Sequence, residues 1–316
     1  MSKVSLVAID HGNSNIKTKN YVFPAGVVEC GHMLTLGNQD VLVYRGKEYI
    51  LVSKRMTQRN DKTTDDGHFI LTLFAIGKEL MHNNSNAVNE QGKIVRIKLA
   101  VGLPPGYIKE GAVKFAEYLK RPGQVEFVLN GVQFCIELVD VRVFPQAYAA
   151  ARTVFNKLKD IPFVNVVDIG GYTVDCIRLE NFAPDGLVLT SLPHGVDVLF
   201  ARINEKVRAK MAKEVPDAVI EGVLLDDEKT LKNTSQERID LILNEAKPFT
   251  KELLLTVSRT GLDLEEDTTL FIGGGALLLQ RFITEVAMVK KPIFAKSVHA
   301  NARGYEIIYR AMTKKS

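Results

Sequence analysis

Two apolar segments of this sequence end in the same way, in an aspartate followed by a tight turn that contains glycine. Residues 4–9 run into the octet DHGNSNIK at 10–17, and residues 163–167 run into the octet DIGGYTVD at 168–175, half the chain away. Short apolar runs bounded by turn residues are typical of buried strands. The sequence therefore predicts two similar halves, and in each of them a core strand ends at an aspartate and a glycine turn.

A third glycine turn, IGGGA at 272–276, follows the apolar segment 269–271. Glycine lets the backbone turn tightly and approach a phosphate group without a Cβ atom in the way. A single turn of this kind is typical of ordinary loops, but three of them, each after a strand, favour a nucleotide held between two similar domains. The sequence contains neither a P-loop nor the glycine pattern of a Rossmann fold.

The composition, with 316 residues of which 46% are hydrophobic and 25% charged, is ordinary for a globular protein and sufficient for two cores. The formal net charge of +4 is small and the charges alternate in sign, so direct nucleic-acid binding is not indicated. No apolar run is long enough for a membrane helix, and Asp10 stops the apolar start of the chain, which argues against a signal peptide. Cys30, Cys135 and Cys176 are widely spaced, as expected of buried thiols in a reducing compartment. We therefore expect a cytoplasmic protein without a membrane partner.

The succession of apolar segments predicts two domains, at residues 1–150 and 151–300. The first is expected to contain an inserted subdomain at about 26–92 and to receive a C-terminal helix at 301–316. The second is expected to contain a helical insertion at about 198–260, which is rich in charge.

Local signals predict individual elements within these domains. Asn130 and Gly131 form a hairpin turn, Pro145 begins a helix that links the halves, and Asn301 is the N-cap of the last helix. Strands are expected at 4–9, 15–23, 41–44, 49–52, 94–102, 125–129, 132–138, 139–144, 164–167, 174–179, 187–192 and 269–272. Helices are expected at 69–82, 110–119, 146–158 and 276–289, and from residue 301 onward.

The aspartate turns carry the groups that a magnesium nucleotide requires. Mg²⁺ is held by one or two carboxylates together with phosphate oxygens, and Asp10 and Asp168 follow the two predicted core strands. Lys17 adds a positive charge for the phosphates. The glycines and short polar residues expected to assist are Gly12, Asn13, Ser14, Asn15, Gly170, Gly171 and Thr173. The turn at 194–195 either lines the same site or is only a structural bend.

Four segments resemble the phosphate 1, connect 1, phosphate 2 and adenosine motifs of the actin, sugar-kinase and heat-shock-chaperone ATPase superfamily. In that order they are residues 10–17, the Pro145-Gln146 pair, residues 168–175 and residues 272–276. The sequences of these motifs are most similar to those of the ParM (StbA) branch of bacterial actin-like plasmid-segregation ATPases. Residues 301–304 resemble the second connecting helix, so the order of motifs covers nearly the whole chain.

The resemblance implies an α/β protein with the actin-like fold, in which two ribonuclease-H-like domains with mixed five-stranded sheets flank a nucleotide cleft. Each domain would carry a small inserted subdomain. The implied cofactors are ATP and Mg²⁺, with GTP left open as a substitute for ATP. Asp10 and Asp168 are the implied metal ligands and, with Gln146, the implied catalytic residues. Gln146 would orient the attacking water, since a neutral amide is a poor base. The implied nucleotide-binding residues are Asp10, Gly12, Asn13, Ser14, Asn15, Lys17, Gly170, Gly171, Tyr172, Thr173, Gly273, Gly274, Gly275 and Ala276.

Some positions depart from the family pattern. Asn13 replaces a serine or threonine, Gln146 stands where ParM-type proteins often carry glutamate, and Leu277 stands where a polar residue is common. Tyr172 is bulkier than the residue usual at this position. Its side chain either lies beside the phosphates or points away from them. His11 is predicted to be a turn residue and not a catalytic base.

The function implied by this resemblance is a filament-forming ATPase whose ATP hydrolysis is coupled to polymerisation. Its partners would be further copies of itself and a DNA-binding adaptor protein, which would connect the filament indirectly to plasmid DNA. The alternative is a small-molecule kinase of the same superfamily, acting on a sugar or an acid. The short inserted segments and the absence of a base at Gln146 favour the filament protein over the kinase, and a chaperone-like ATPase would need a peptide-binding domain.

Overall fold

The computed structural model of the protein describes residues 4–31, 39–52, 62–83 and 94–314. They form two compact units: unit 1 comprises the described residues up to Thr153 and those from His299 onward, and unit 2 is Val154–Val298. Parts of the predicted insertion at 26–92, and the last two residues of the predicted terminal helix, lie outside the described residues.

Unit 1 is built on one mixed sheet. Its strands are β1 Val4–His11, β2 Asn15–Lys17, β3 Val22–Pro24, β4 Val27–Cys30, β5 Val41–Tyr44, β6 Lys47–Leu51, β7 Ile94–Leu103, β8 Gln124–Leu129 and β9 Val132–Pro145. Within the described residues the sheet has nine strands in the order β3-β2-β1-β7-β9-β8-β5-β6-β4. The first five strands of this order form the five-stranded mixed arrangement that was predicted, and four further strands extend it. β1 is antiparallel to β2 and parallel to β7, which is parallel to β9.

Helices cover both faces of this sheet. They are α1 Gly67–His82, α2 Ile108–Leu119, α3 Tyr148–Arg152 and α11 Ala300–Lys314, whose number follows the helices of unit 2 in chain order. The side chains of α1 are apolar and buried along most of its length, with Phe69 and Phe74 fully enclosed. A Cβ on Gly77 would lie 2.7 Å from a methyl carbon of Leu129, so glycine lets α1 approach β8 closely. Phe115 and Leu119 of α2 complete the same core.

The opposite face of β1 and β7 is covered by α11. Tyr305 and Tyr309 of this helix form a second apolar cluster, which also contains Ala8, Ala100, Phe144 and Ala149. A Cβ on Gly304 would overlap the carbonyl oxygen of Ala149, so the backbones of α11 and α3 lie in direct contact. The predicted N-cap role of Asn301 is wrong, because the helix begins at Ala300 and Asn301 lies in its first turn.

Unit 2 is built on a five-stranded sheet in the order β12-β11-β10-β13-β14. Its strands are β10 Phe163–Ile169, β11 Val174–Glu180, β12 Ala183–Leu192, β13 Thr268–Ile272 and β14 Pro292–Phe294. Its helices are α4 Phe155–Leu158, α5 Val196–Met211, α6 Asp217–Leu224, α7 Glu228–Lys232, α8 Gln236–Ser258, α9 Gly274–Leu278 and α10 Gln280–Glu285. The interval 198–260 contains most of α5 and all of α6, α7 and α8, and its apolar side chains, such as Leu199, Phe249 and Leu254, pack on the sheet.

The two units repeat one strand pattern. β3-β2-β1-β7-β9 and β12-β11-β10-β13-β14 both consist of two antiparallel steps followed by two parallel steps. The central hairpins also share their register, with Asp10 opposite Lys17 in one and Asp168 opposite Asp175 in the other. Each hairpin therefore has a four-residue turn directly after the aspartate-bearing strand, and the predicted likeness of the two halves is confirmed.

Two predicted strand patterns differ from the structure. The strand predicted at 15–23 is two antiparallel strands, because a turn closed by Thr18 N–H and the carbonyl of Tyr21, 2.9 Å apart, reverses the chain. The two strands predicted between Val132 and Phe144 are one strand, β9, whose pairing with β7 shifts by one residue at Ile97. A bulge thus absorbs the extra residue without ending the strand.

Two predicted helices are interrupted. The helix predicted at 146–158 is α3 followed by α4, and Pro145 ends β9 instead of opening a helix. Ala147 has a φ of 60°, which no right-handed helix contains. The helix predicted at 276–289 begins earlier, at Gly274, and is divided into α9 and α10 at Leu279. No helix in the described part of the chain is both long and apolar enough to span a bilayer.

Candidate functional site

The turn between β1 and β2 closes tightly around glycine. A Cβ on Gly12 would lie 2.7 Å from the carbonyl oxygen of Asn15, so no larger residue fits this turn without a shift of the backbone. Asn13, Ser14 and Asn15 are partly exposed. The hydroxyl of Ser14 is buried, and it has no hydrogen-bond partner among the residues that the structure describes. A buried hydroxyl in a glycine turn is suited to a ligand that accepts a hydrogen bond from it.

Asp10 precedes this turn and is only 3% exposed. Its Oδ1 accepts a hydrogen bond of 2.8 Å from Nε2 of Gln146, and its Oδ2 lies 3.8 Å from Nζ of Lys17. A buried carboxylate is costly unless it is paired, and these two partners supply a donor and a positive charge. Three of the predicted site residues are thus brought together in unit 1.

His11 was predicted to be a turn residue, and this prediction is wrong. It is the last residue of β1, fully buried, with Nε2 2.8 Å from Oγ1 of Thr72 and its ring edge-on to Phe115. The Lys62 amine donates a hydrogen bond to its carbonyl oxygen. Burial, together with His68 and Lys62, holds the pKa of His11 well below its usual value. His11 is therefore a neutral core residue.

Gln146 lies at the junction between β9 and α3. Its backbone N–H donates to the carbonyl of Leu103 at 2.9 Å, which ties it to the end of β7. The next residue, Ala147, has φ 60° and ψ −58°, and Tyr148 N–H donates back to the carbonyl of Gln146 at 2.6 Å. This is a γ-turn of the rare positive-φ form. The N–H of Ala147 donates to Oδ1 of Asn301 at 3.0 Å.

The matching turn in unit 2 follows Asp168, which is 8% exposed. The N–H of Gly170 donates to the carbonyl of Thr173 at 2.9 Å and closes the turn, and Gly171, Tyr172 and Thr173 are all partly exposed.

The start of α5 packs directly on this turn. The carbonyls of Gly170 and Gly171 accept hydrogen bonds from Val196 and Asp197, at 3.1 and 2.8 Å. A Cβ on Gly195 would overlap the carbonyl of Gly171. The turn at 194–195, whose role the sequence left open, thus supports the second aspartate turn.

The third glycine turn meets Asp168 from the neighbouring strand. Gly273 directly follows β13 and has a φ of 91°, and a Cβ there would overlap Oδ1 of Asp168 and lie 2.5 Å from the carbonyl of Ile169. Gly275 also approaches Ile169 closely, whereas a Cβ on Gly274 would meet nothing within 4 Å. Ala276 is 1% exposed and belongs to the hydrophobic core. Unit 2 therefore brings the second and third glycine turns together around Asp168.

The donor set in each unit fits the groups of a magnesium nucleotide. Each hairpin offers one carboxylate and a narrow glycine turn, and unit 1 adds the Lys17 ammonium and the unpartnered Ser14 hydroxyl. Within the described residues there is no cluster of three or more His, Cys, Asp or Glu side chains suited to a metal. Mg²⁺ needs only one or two protein carboxylates when phosphate oxygens and water complete its shell.

Sequence reasoning missed two residues that shape these turns. Asn301 and Ala147 fix the segment that carries Gln146. Gly195, whose turn the sequence did indicate, supports the turn after Asp168. The hydrogen bond between Ala147 and Asn301 had no local signal in the sequence, because the two residues are 154 positions apart.

Comparison with known proteins identifies the fold. Residues 8–148 match the family model described as the N-terminal domain of actin-like proteins. The archaeal actin homologue Ta0583 matches with a TM-score of 0.76 and 16% identity, over 98% of this chain and 99% of that chain. The chain has an actin-like fold. A search of curated protein sequences finds no significant match.

Two ParM structures also resemble this actin-like chain. A 15-stranded ParM filament from Clostridium botulinum matches with a TM-score of 0.73 and 16% identity, over 98% of this chain and 100% of that one. ParM from Bacillus thuringiensis, in a structure with ATP, matches with a TM-score of 0.68 and 12% identity, over 98% and 99% of the two chains. Ta0583 also matches as its complex with ADP, with a TM-score of 0.72. The fold and the resemblance predicted from the sequence are confirmed.

Proposed function

We propose that this actin-like protein is an ATPase that polymerises into filaments under the control of its bound nucleotide. The observation that carries the proposal is the pair of equivalent hairpins, in which Asp10 and Asp168 occupy the same register position before four-residue glycine turns. Such a pair supplies two phosphate-binding turns and two carboxylates from one repeated strand pattern. The proposal extends to the roles of the individual residues.

In unit 1 the turn after Asp10 would bind phosphate oxygens. Its residues Gly12 to Asn15 are partly exposed, and Lys17 contributes positive charge. The hydroxyl of Ser14 would donate to a phosphate oxygen, together with the side chains of Asn13 and Asn15. The unpartnered state of that hydroxyl supports this role.

In unit 2 the turn after Asp168 would bind phosphate oxygens through Gly170, Gly171, Tyr172 and Thr173, and residues 273–276 would border the adenosine. Asp10 and Asp168 would hold Mg²⁺, which supplies positive charge that neutralises the phosphate oxygens. GTP remains an alternative nucleotide.

Gln146 would orient the water that attacks the terminal phosphate. Its side-chain amide can donate to Asp10 and still accept from a water, while it takes up no proton itself. Asp10 would therefore serve both as a metal ligand and as the group that fixes the amide of Gln146. Hydrolysis by this arrangement depends on positioning and charge and needs no strong base.

Polymerisation is supported by the filament form of the Clostridium botulinum relative. Head-to-tail contacts that do not close into a ring give open filaments, so a nucleotide switch in each subunit can control a long polymer. A DNA-binding adaptor protein would attach plasmid DNA to the filament. The small net charge of +4 is compatible with such an indirect link.

Right-angle light scattering and phosphate release, recorded together on the purified protein, test the proposal. ATP or a non-hydrolysable analogue should raise the scattering, ADP should not sustain it, and GTP is included as the alternative nucleotide. Asp168→Ala should abolish phosphate release with the fold intact by circular dichroism, whereas the control Asp160→Ala, at an exposed position of the same unit, should behave as wild type. Absence of scattering with every nucleotide would refute the filament. Phosphate transfer to a sugar without scattering would favour the kinase instead.

A further inference from the structure

We infer that Asn301 is a positioning residue for nucleotide hydrolysis, because it holds the turn at Ala147 in the shape that keeps Gln146 on Asp10. The inference rests on the proposed function for its link to hydrolysis. Its structural part, the dependence of Gln146 on Asn301, can be tested separately.

The turn at Ala147 requires an external support. A positive φ is unfavourable for alanine, and the positive-φ γ-turn is rare and strained. Strained turns of this kind persist only where the surrounding structure holds them. Ala147 is fully buried, so water cannot replace a lost hydrogen bond to its N–H group.

Asn301 supplies that support from a distant part of the chain. Its Oδ1 accepts from Ala147 N–H at 3.0 Å, and its side chain is itself buried in the first turn of α11. The helix is fixed in place away from the turn, since its Tyr305 and Tyr309 pack with Ala8 of β1 and Ala100 of β7. The position of the acceptor is therefore set by packing and not by the turn.

The turn controls the residue that precedes it. Gln146 is held at its N–H by Leu103, at its carbonyl by Tyr148 and at its side chain by Asp10. If Ala147 relaxed to a negative φ, the peptide between Gln146 and Ala147 would rotate. The side-chain amide of Gln146 would then leave its place 2.8 Å from Asp10. An error of about 1 Å in a positioning group reduces a rate by up to about 100-fold.

Single-turnover ATP hydrolysis in Asn301→Ala, Gln146→Ala and the double variant tests the catalytic part. We expect Asn301→Ala to slow hydrolysis by about 10-fold to 100-fold with little change in nucleotide affinity. The double variant should be no slower than Gln146→Ala alone, because both substitutions remove the same function, the positioning of the Gln146 amide. Asn301→Asp retains the acceptor oxygen and should restore most of the rate. Asn204→Ala, which removes a similar acceptor from the N–H of Val215 in unit 2, is the matched control and should keep the wild-type rate. Independent, additive losses from Asn301→Ala and Gln146→Ala would overturn the inference.

The side-chain amide signals of Gln146 in a nitrogen–proton correlation spectrum test the structural part without any hydrolysis. In the wild type we expect shifted, exchange-protected signals, and in Asn301→Ala we expect them to move to the positions of a free amide. Unchanged signals would overturn the inference even if the protein hydrolyses ATP. A wild type that hydrolyses no nucleotide would refute the proposed function, and these spectra would still decide whether Asn301 positions Gln146.

Discussion

Gln146 donates a hydrogen bond of 2.8 Å from its side-chain nitrogen to Oδ1 of Asp10, although the two residues are 136 positions apart. The bond joins the residue proposed to orient water to the residue proposed to hold the metal. We predict that Gln146→Ala slows ATP hydrolysis by about 100-fold and leaves nucleotide affinity within a small factor of wild type. Phosphate release and the binding of a fluorescent nucleotide measure the two effects. Gln133→Ala, at an exposed position of β9, the strand that precedes Gln146, is the control. A wild-type turnover rate in Gln146→Ala would reduce Gln146 to a structural residue.

The neighbouring glycines Gly273 and Gly274 provide a matched pair. At Gly273 an added Cβ would overlap Oδ1 of Asp168, and the φ of 91° is unfavourable for alanine. We predict that Gly273→Ala lowers the free energy of unfolding by about 3 kcal/mol and weakens nucleotide binding through displacement of Asp168.

Gly274→Ala should have little effect on the free energy of unfolding, because a Cβ there meets no atom within 4 Å. Urea unfolding compares the stability of the two variants, and nucleotide titration measures the loss of binding in Gly273→Ala. Equal stability of both variants would contradict the assigned crowding at Asp168.

Glu79 is a buried carboxylate of α1 that fixes the turn between β2 and β3. It is 6% exposed and accepts from the Thr18 hydroxyl, from the N–H of Asn20 at 3.0 Å and from the side-chain amide of Asn20 at 2.7 Å. We predict that Glu79→Ala lowers the free energy of unfolding by about 2 kcal/mol, since it removes the acceptor of the buried Thr18 hydroxyl and two hydrogen bonds from Asn20. Glu79→Gln should cost less, because one oxygen remains.

Chemical unfolding measures both Glu79 variants against Glu117→Ala, an exposed glutamate on α2 whose loss should be neutral. Faster amide exchange at Asn20 in Glu79→Ala would locate the damage in the turn. If Glu79→Ala were as stable as Glu117→Ala, the hydrogen bonds accepted by Glu79 would make no contribution to the free energy of unfolding.

His68 makes the free energy of unfolding depend on pH. Burial, followed by the charge of Lys62, lowers the pKa of His68 from 6.5 to about 3. Because the folded-state pKa lies below the unfolded one, the unfolded chain binds the additional proton, and stability falls as the pH falls from 6.5 toward 3. The slope contributed by this one histidine is at most about 1.4 kcal/mol per pH unit.

We predict that His68→Gln has a smaller loss of stability than the wild type when both are compared at neutral pH and at about pH 5. Urea unfolding at the two values measures it. Gln133→Ala removes an exposed side chain that does not titrate, and this control should retain the wild-type slope. Identical slopes in the wild type and His68→Gln would show that His68 is protonated alike in the folded and unfolded states.

The two aspartate hairpins could be predicted because their information is local. In each of them the strand, the aspartate and the glycine turn are contiguous, so Asp10 and Asp168 could be recognised without any knowledge of contacts. Gln146 needed the resemblance to a known family, since its partner lies far away in sequence. The parallel pairings of β1 with β7 and of β10 with β13 do not follow from this local pattern, since the paired strands are remote in sequence.

Other features could not be predicted because distant packing decides them. Ala147 lies in an alanine-rich segment that favours a helix, yet its contact with Asn301 stabilises a positive φ. His11 stands among turn residues in the sequence, but Thr72 and Phe115 enclose it in the core. In both places a contact between remote residues overrides the local preference.

Unit 1 is made from two separate stretches of chain, since the polypeptide leaves it after Thr153 and returns at His299. During synthesis, unit 1 is completed only after the whole of unit 2 has been made, because α11 follows unit 2 in the chain. The acceptor for Ala147 is on α11, so the turn beside Gln146 gains its support only when that helix docks. Completion of unit 1 thus depends on the synthesis of unit 2, although each unit has its own hydrophobic core.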